Sequence, residues 1–314
     1  MLSLARAALT LTACRAVCGE GAIERDGACA ISLDFPSDSG AETDTGTDTD
    51  SGTDPDTGPP ADTDPSDDPG LVRVPASTFL MGCTDGQSAC EADEKLHEVT
   101  LTRDYFVNHA EVTQGEFETT MGYNPSALVP CGANCSAETL TWYEAAAYAN
   151  ALSRQFGLPE CYTCEGSEEL VVCDVAMDPY TCHGYRMLTE SEWEGAARCG
   201  EDLVYAGSND AAAVAWTSEN AEETTHPVAS LAPNACGLHD MSGNVWEWTD
   251  TWYGDYGLDP LTDPAGPAAG SSRVVRGGGW SNDVLFARVS ARNGIVTPSY
   301  ARGSIGFRVM RLGL

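Results

Sequence analysis

The sequence predicts an α+β fold in which short strands and a few helices are joined by much irregular backbone. Residues 72–82 and 97–102 alternate between polar and apolar side chains, which is typical of strands. Residues 141–154 are rich in alanine and carry apolar side chains three and four positions apart, which predicts an amphipathic helix. The rest of the chain holds many glycines and tryptophans, a composition that favours short strands and loops.

Two further helices follow from local signals. The segment 105–113 leads into a predicted helix at 113–121. A second helix is expected to begin at Thr189, because threonine is a good N-cap and Glu192, three residues later, can complete a capping box.

The chain opens on a short apolar stretch that resembles an export signal. Residues 1–14 contain one arginine and no acid, and end in Leu11-Thr12-Ala13-Cys14, which resembles a bacterial lipobox. In such a signal the cysteine is lipid-modified and becomes the first mature residue. We therefore expect lipidation at Cys14, membrane contact through that lipid, and a location in the bacterial cell envelope, in the outer membrane or the periplasm.

Two segments separate this signal from the main domain, which we expect at 71–314. In residues 15–35, Cys18 and Cys29 bracket a small loop. Residues 36–70 hold eleven acidic residues, no Lys or Arg and almost nothing apolar, so we expect a disordered acidic linker. Residues 71–314 carry 13 Lys and Arg against 33 Asp and Glu, a net charge of −20. Such a surface repels phosphate backbones and argues against nucleic acid as a partner.

Cysteine usage is typical of an exported, oxidised protein. The chain has 13 cysteines, many of them close together in sequence, and we expect disulfides. Cys161, Cys164, Cys173 and Cys182 allow three pairings, and a zinc site with all four as ligands or a redox pair is the alternative. The disulfide candidates are Cys18, Cys29, Cys83, Cys90, Cys131, Cys135, Cys161, Cys164, Cys173, Cys182, Cys199 and Cys236, with Cys199 and Cys236 expected to pair.

Several blocks of sequence carry a family resemblance. The most specific is Gly-Leu-His-Asp-Met-Ser-Gly-Asn-Val-Trp-Glu-Trp at 237–248, followed by Arg-Gly-Gly-Gly-Trp at 276–280 and Ile-Gly-Phe-Arg at 305–308. Further blocks lie in the same order at 111–113, 141–150, 185–198 and 225–228. Together they resemble the formylglycine-generating enzyme (sulfatase-modifying factor) family. The resemblance covers 71–314 and implies that family's variant of the C-type-lectin-like fold.

The resemblance also implies an oxidase chemistry whose residues are missing here. Catalytic members of the family bind Cu(I) with two cysteines a few residues beyond the Gly-Gly-x-Trp motif. Residues 281–288 contain no cysteine, and no cysteine follows Cys236. Gly279 stands where catalytic members carry a serine. Because Cu(I) prefers soft thiolates, copper is not expected and no catalytic residue is assigned.

Two binding sites that the resemblance implies do not depend on copper. By resemblance, a structural calcium ion is held by the side chains of Asp240 and Glu247 and by the backbone carbonyls of Gly243 and Val245, an all-oxygen set that suits a hard cation. Trp246 and Trp280 match indoles near the family's substrate groove, and we expect this groove to include Asn282 and Arg288.

The sequence thus favours a lipid-anchored cell-envelope protein whose domain binds a peptide or a glycan and performs no catalysis. A sulfatase-modifying oxidoreductase that acts through an unrecognised site is one alternative. A purely structural surface protein is the other.

Overall fold

The computed structural model describes residues 22–25, 28–31, 70–84, 87 and 89–313. The chain divides into two units, Met1–Asp56 and Thr57–Leu314. In the first unit, the backbone forms an antiparallel pair of strands, β1 (Ala22–Arg25) and β2 (Ala28–Ile31). The predicted lipidation site Cys14, Cys18 and residues 36–69 of the predicted linker lie outside the described residues, as does the side chain of Cys29.

The described residues of the second unit form three α-helices, each of which begins at a threonine with a complete capping box. In each box the threonine hydroxyl accepts a hydrogen bond from the backbone N–H of a glutamate three residues later, whose carboxylate caps the threonine N–H in return. The helix predicted at 141–154 and the start predicted at Thr189 are confirmed. The helices are α1 (Gln114–Met121), α2 (Trp142–Gln155) and α3 (Glu190–Arg198).

Short strands make up the rest of the regular structure. The strand predicted at 72–82 is wrong as a single element, because Pro75 lacks an N–H and the N–H of Ala76 donates to Asp104 Oδ1 at 2.8 Å. Two strands form instead. The strands of the second unit are β3 (Leu71–Val74), β4 (Ser77–Met81), β5 (His97–Leu101), β6 (Tyr105–Asn108), β7 (Tyr162–Glu165), β8 (Val172–Val175), β9 (Ala215–Trp216), β10 (Ser242–Gly243), β11 (Trp246–Trp252), β12 (Leu261–Thr262), β13 (Arg273–Arg276), β14 (Arg292–Val296), β15 (Ile305–Gly306) and β16 (Met310–Leu312).

The largest sheet among the described residues has the order β14-β13-β11-β15, with β14 at one end. Strand β11 is antiparallel to β13 and parallel to β15. Two three-stranded sheets, β12-β5-β4 and β16-β6-β3, and the pairs β10-β9 and β7-β8 complete the unit. Because β3 and β16 both pair with β6, the two ends of the domain meet in one sheet.

Two apolar clusters form the core around the helices. The first surrounds α2, where Phe117, Tyr148 and Phe307 pack ring against ring with centroids 5.2 to 6.2 Å apart. The second surrounds α3 and is centred on the fully buried Trp193. Both clusters contact the four-stranded sheet, since Trp248 and Val275 belong to the first and α3 packs on β11 and β13. The sheet is thereby a rigid base for the loops at its ends.

Disulfides cross-link the irregular backbone. The structure joins Cys161 to Cys182 and Cys164 to Cys173, which resolves the pairing left open by the sequence and removes these sulfurs as zinc ligands. It also joins Cys199, the residue that ends α3, to Cys236. The remaining described pairs are Cys83–Cys90 and Cys131–Cys135. Within the described part of the chain, no helix is long and apolar enough to cross a membrane.

Candidate functional site

A cavity of about 370 Å³ opens at the end strand of the four-stranded sheet. Trp246 of β11 forms part of its wall, and the indole Nε1 donates to the Asn282 side-chain oxygen at 2.8 Å. The backbone of Asn282 is held in turn, because its N–H donates to Gly279 O and its carbonyl accepts from Ser218 N, both at 2.9 Å. Two of the four predicted groove residues therefore meet in this place, which we call the Trp246 cavity. Its lining residues are Trp246, Val275, Asn282, Asn293, Val296, Thr297, Tyr300, Arg302, Ser304 and Ile305.

The loop 297–304 contributes four lining residues and is fixed by hydrogen bonds of its own backbone. Pro298 O accepts from the N–H of Trp142 at 3.0 Å, at the start of α2. Arg302 O accepts from the N–H groups of Thr139 and Ile305 at 3.1 and 2.9 Å. A wall held at several points loses little conformational freedom when a ligand binds, which favours binding.

Trp280 supports this wall from outside the cavity. Its indole Nε1 donates to Gly303 O at 2.7 Å, and its backbone N–H donates to Asn244 O at 2.7 Å. Trp280 is therefore a positioning residue that ties the loop to the rest of the site, and the structure does not place it among the lining residues.

Arg288 lies elsewhere, contrary to the predicted groove. Its guanidinium donates to both carboxylate oxygens of Glu94 at 2.7 Å, and the side chain is buried. A buried guanidinium requires a carboxylate partner, and Glu94 supplies it from the loop between β4 and β5. Sequence position alone gave no sign of this pairing, since the two residues are 194 positions apart.

The lining of the Trp246 cavity combines an indole, a phenol, amides and hydroxyls with one charge. Among the described lining residues there is no thiol, imidazole or carboxylate, and Arg302 is the only charged side chain. Such a set donates and accepts hydrogen bonds and offers apolar surface, but it contains no general base of the usual type and no soft metal ligand.

The loop 237–247 lies next to this cavity and is shaped by residues with positive φ. Asp240, Gly243 and Asn244 have φ angles of 58°, 83° and 58°. A Cβ at Gly243 would lie 2.4 Å from Trp216 O, so only glycine fits there. The Asn244 amide is buried, donates to Glu111 Oε2 at 2.7 Å and accepts from His226 N at 3.0 Å. This amide fixes the loop to two distant segments.

Glu247, a predicted calcium ligand, is completely buried and strongly engaged. Its Oε2 accepts from Trp193 Nε1 at 2.8 Å and from Arg308 Nε at 2.7 Å. Its Oε1 accepts from a terminal nitrogen of Arg308 at 2.6 Å. The bidentate pair with Arg308 leaves Oε1 with capacity for one more contact, since a carboxylate oxygen has two lone pairs.

Asp240, the other predicted carboxylate ligand, is only partly satisfied. Its Oδ2 accepts from the N–H of Ala229 at 2.7 Å, whereas its buried Oδ1 has no hydrogen-bond partner among the described residues. A buried carboxylate oxygen without a donor is costly unless a cation compensates it. The Oδ1 atom of Asp240 is therefore the observation that fits a calcium ion at this loop.

A third buried carboxylate, Glu111, completes this acidic cluster and was not identified from the sequence as a site residue. It accepts from Val245 N at 3.1 Å and from Asn244 and Ser136. Burial and the neighbouring Asp240 and Glu247 hold the pKa of Glu111 well above its usual range. Burial likewise raises the pKa of Asp240. Glu111 belongs to the sequence block at 111–113 that resembles the family, and its carboxylate is the feature of the sequence from which a site residue could have been predicted.

Comparisons with known proteins agree on one family. Residues 58–312 match the family described as the Sulfatase-modifying factor enzyme 1-like domain. The chain is 32% identical over 221 residues to "Chaperone protein LppX" of Paenibacillus barcinonensis, covering 61% of this chain and 74% of that protein. It is 29% identical over 286 residues to a formylglycine-generating enzyme of Streptomyces coelicolor, covering 76% and 88% of the two chains. Among solved structures, Treponema denticola variable protein 1 aligns with a TM-score of 0.69 at 30% identity over 77% of this chain and 94% of the other.

Proposed function

The chain belongs to the sulfatase-modifying factor family, and from that premise we propose that it binds a ligand in the Trp246 cavity and does not oxidise it. The family match covers residues 58–312, and the fold resembles that of Treponema denticola variable protein 1 over 77% of the chain. The cavity differs in composition from the copper site that the resemblance implies for catalytic members.

One observation carries this proposal: the lining of the cavity contains no thiol. Cu(I) is held by soft thiolate ligands, and neither the cavity lining nor residues 237–314 contain a cysteine. The ten cysteines at 83–236 are bonded to one another as disulfides in the described structure, so they offer no thiolate either. Asn282 lies beside Trp246 as a neutral amide.

The cavity suits a ligand that combines an apolar surface with hydrogen-bonding groups, such as a peptide or a glycan. Trp246 and Tyr300 offer aromatic surface, and Asn282 and Asn293 offer amides. A binding role is also favoured by the relative from Paenibacillus barcinonensis that is named a chaperone protein.

Arrays of peptides and glycans, probed with the purified domain, test this proposal. Thr297 is an exposed lining residue, so Thr297→Trp should fill part of the cavity, while Ser299→Trp places the same indole on the same loop outside the lining. We expect a retained ligand whose binding is lost in Thr297→Trp and kept in Ser299→Trp. Equal binding by both variants and the unchanged protein would contradict the proposal. Absence of any retained ligand would favour a purely structural surface protein.

We further propose that the protein is exported and lipid-anchored at Cys14 in the bacterial cell envelope. The lipobox-like Leu11-Thr12-Ala13-Cys14 and the dense disulfides support this location, because disulfides persist in oxidising compartments. Mass spectrometry of the native N-terminus tests the proposal. A lipid-modified cysteine as the first residue is expected, and an unmodified Met1 on cytoplasmic protein would contradict the proposal.

A structural calcium ion at the loop 240–247 is the third part of the proposal. Asp240 Oδ1 would be its main side-chain ligand, with Glu247 Oε1 and the backbone carbonyls of Gly243 and Val245. Arg308 pairs with Glu247, and the buried carboxyls of Asp240 and Glu111 lie close enough to this pair to interact with it, so a cation beside Asp240 would stabilise the ionised form of its carboxylate.

The alternative is a sulfatase-modifying oxidoreductase that uses a site of different composition. The 29% identical relative named a formylglycine-generating enzyme favours it. Copper-dependent turnover of a cysteine-containing peptide distinguishes the two.

A further inference from the structure

We propose that the Trp246 cavity selects peptides that carry a carboxylate side chain, and that Arg302 is the residue that selects them. This inference rests on the proposed binding function and names its ligand class.

The charge of the cavity lining is opposite to that of the molecule. The chain has a net charge of −32, yet Arg302 is the only charged side chain among the described residues that line this cavity. The other large cavities carry acidic side chains: Glu111 and Glu116 line one, Glu190 and Asp255 accompany Arg292 in a second, and Asp104 accompanies Arg103 in a third. A cavity of an acidic protein that is lined by a positive charge and by no carboxylate indicates an anionic group in its ligand.

Arg302 is also free to make such a contact. The side chain is exposed, and within the described part of the chain no carboxylate lies within ion-pair distance of its guanidinium. By contrast, Arg186 pairs with Glu192 and Arg292 pairs with Glu190 in the interior. A carboxylate in the cavity could accept two parallel hydrogen bonds from the unpaired guanidinium of Arg302.

The backbone that carries Arg302 is already fixed. Arg302 O accepts two backbone hydrogen bonds, and the next carbonyl, Gly303 O, accepts from the indole of Trp280. The backbone position of Arg302 therefore does not depend on the ligand. Only the side-chain rotamers are ordered on binding, which costs little compared with ordering a loop.

The strand that lines the cavity favours a peptide over a glycan. Asn293 and Val296 of β14 line the cavity, and β14 is the end strand of its sheet. An extended peptide can add to the end strand of a sheet through its backbone N–H and C=O groups, and its side chains then alternate toward and away from the cavity. A carboxylate side chain placed in this way would face Arg302, and Tyr300 would provide an aromatic contact for a neighbouring residue.

Two immobilised libraries of random heptapeptides test the inference, identical except that the central residue is Glu in one and Gln in the other. The full-length protein should be retained about three- to fivefold more strongly by the Glu library, the effect expected of an ion pair with an exposed guanidinium. Arg302→Gln should abolish this preference, and Arg302→Lys should keep part of it because the charge remains while the two-pronged geometry is lost. Arg154→Gln is the matched control, since Arg154 is exposed, pairs with Glu160 and lies outside the cavity.

The Thr297→Trp variant distinguishes binding in the cavity from the selection of carboxylates by Arg302. If Thr297→Trp loses peptide binding but the protein does not distinguish Glu from Gln, or Arg302→Gln keeps the preference, the inference is overturned and the binding function stands. If Thr297→Trp binds as well as the unchanged protein, both fail. Retention of uronic acid polysaccharides that depends on Arg302, without retention of either peptide library, would overturn the choice of peptide.

Discussion

Removing the guanidinium of Arg308 tests the buried charge cluster beneath the candidate site. Arg308 donates to both oxygens of Glu247, and both side chains are at most 1% exposed. Arg308→Met keeps much of the side-chain length but leaves the buried carboxylate of Glu247 without its guanidinium partner. Breaking one side of a buried pair costs about 3–5 kcal/mol. For a domain of this size, that corresponds to a fall of roughly 6–20 °C in melting temperature.

The double variant Glu247→Gln/Arg308→Met is the matched control. It removes the uncompensated charge and keeps an acceptor for the Trp193 indole, so it should recover much of the lost stability. Thermal and urea unfolding of both variants gives the two free energies. A loss below about 1 kcal/mol in Arg308→Met, or no recovery in the double variant, would refute the view that this pair holds the cluster together.

Three further outcomes are expected. Burial raises the pKa of Asp250 to about 7 from 3.8, so the folded state holds the proton more tightly and the free energy of unfolding should fall as pH rises from about 4 to about 7. Asp250→Asn should remove up to about 4 kcal/mol of that dependence, as measured by urea unfolding across pH. EGTA should lower the melting temperature of the unchanged protein but not that of Asp240→Asn, and an equal response would contradict the calcium site. Replacing Cys199 and Cys236 by alanine should cost about 4 kcal/mol, because this disulfide joins residues 37 positions apart in the chain.

The sequence predicted the elements whose signals are local. The box formed by Thr189 and Glu192 fixes the start of α3 within four residues of chain, and the apolar spacing of α2 lies within one helix. Pro75 could have indicated the break between β3 and β4, since proline removes a strand hydrogen bond. The family blocks then placed these elements in the correct fold.

The candidate site depended on contacts that local patterns do not encode. Trp246 and Asn282 are 36 positions apart in sequence and are in contact, as the sequence predicted. Arg288 instead pairs with Glu94 outside the cavity. Arg302 belongs to no recognised block, and its importance follows only from the neutral residues that the fold gathers around it. The composition of a cavity can be read only when distant segments are placed together.

An assay of copper-dependent turnover tests most directly whether this member of the family binds its ligand without oxidising it. The purified domain is incubated with Cu(I), O₂ and a cysteine-containing sulfatase peptide, and the peptide mass is followed alongside a catalytic family member and a boiled control. Because the cavity beside Trp246 and Asn282 is lined by no thiolate among its described residues, we expect no formylglycine above the boiled control. Formylglycine that appears only with copper and the unboiled domain would contradict a binding role without oxidation and would establish an oxidase site of a different composition.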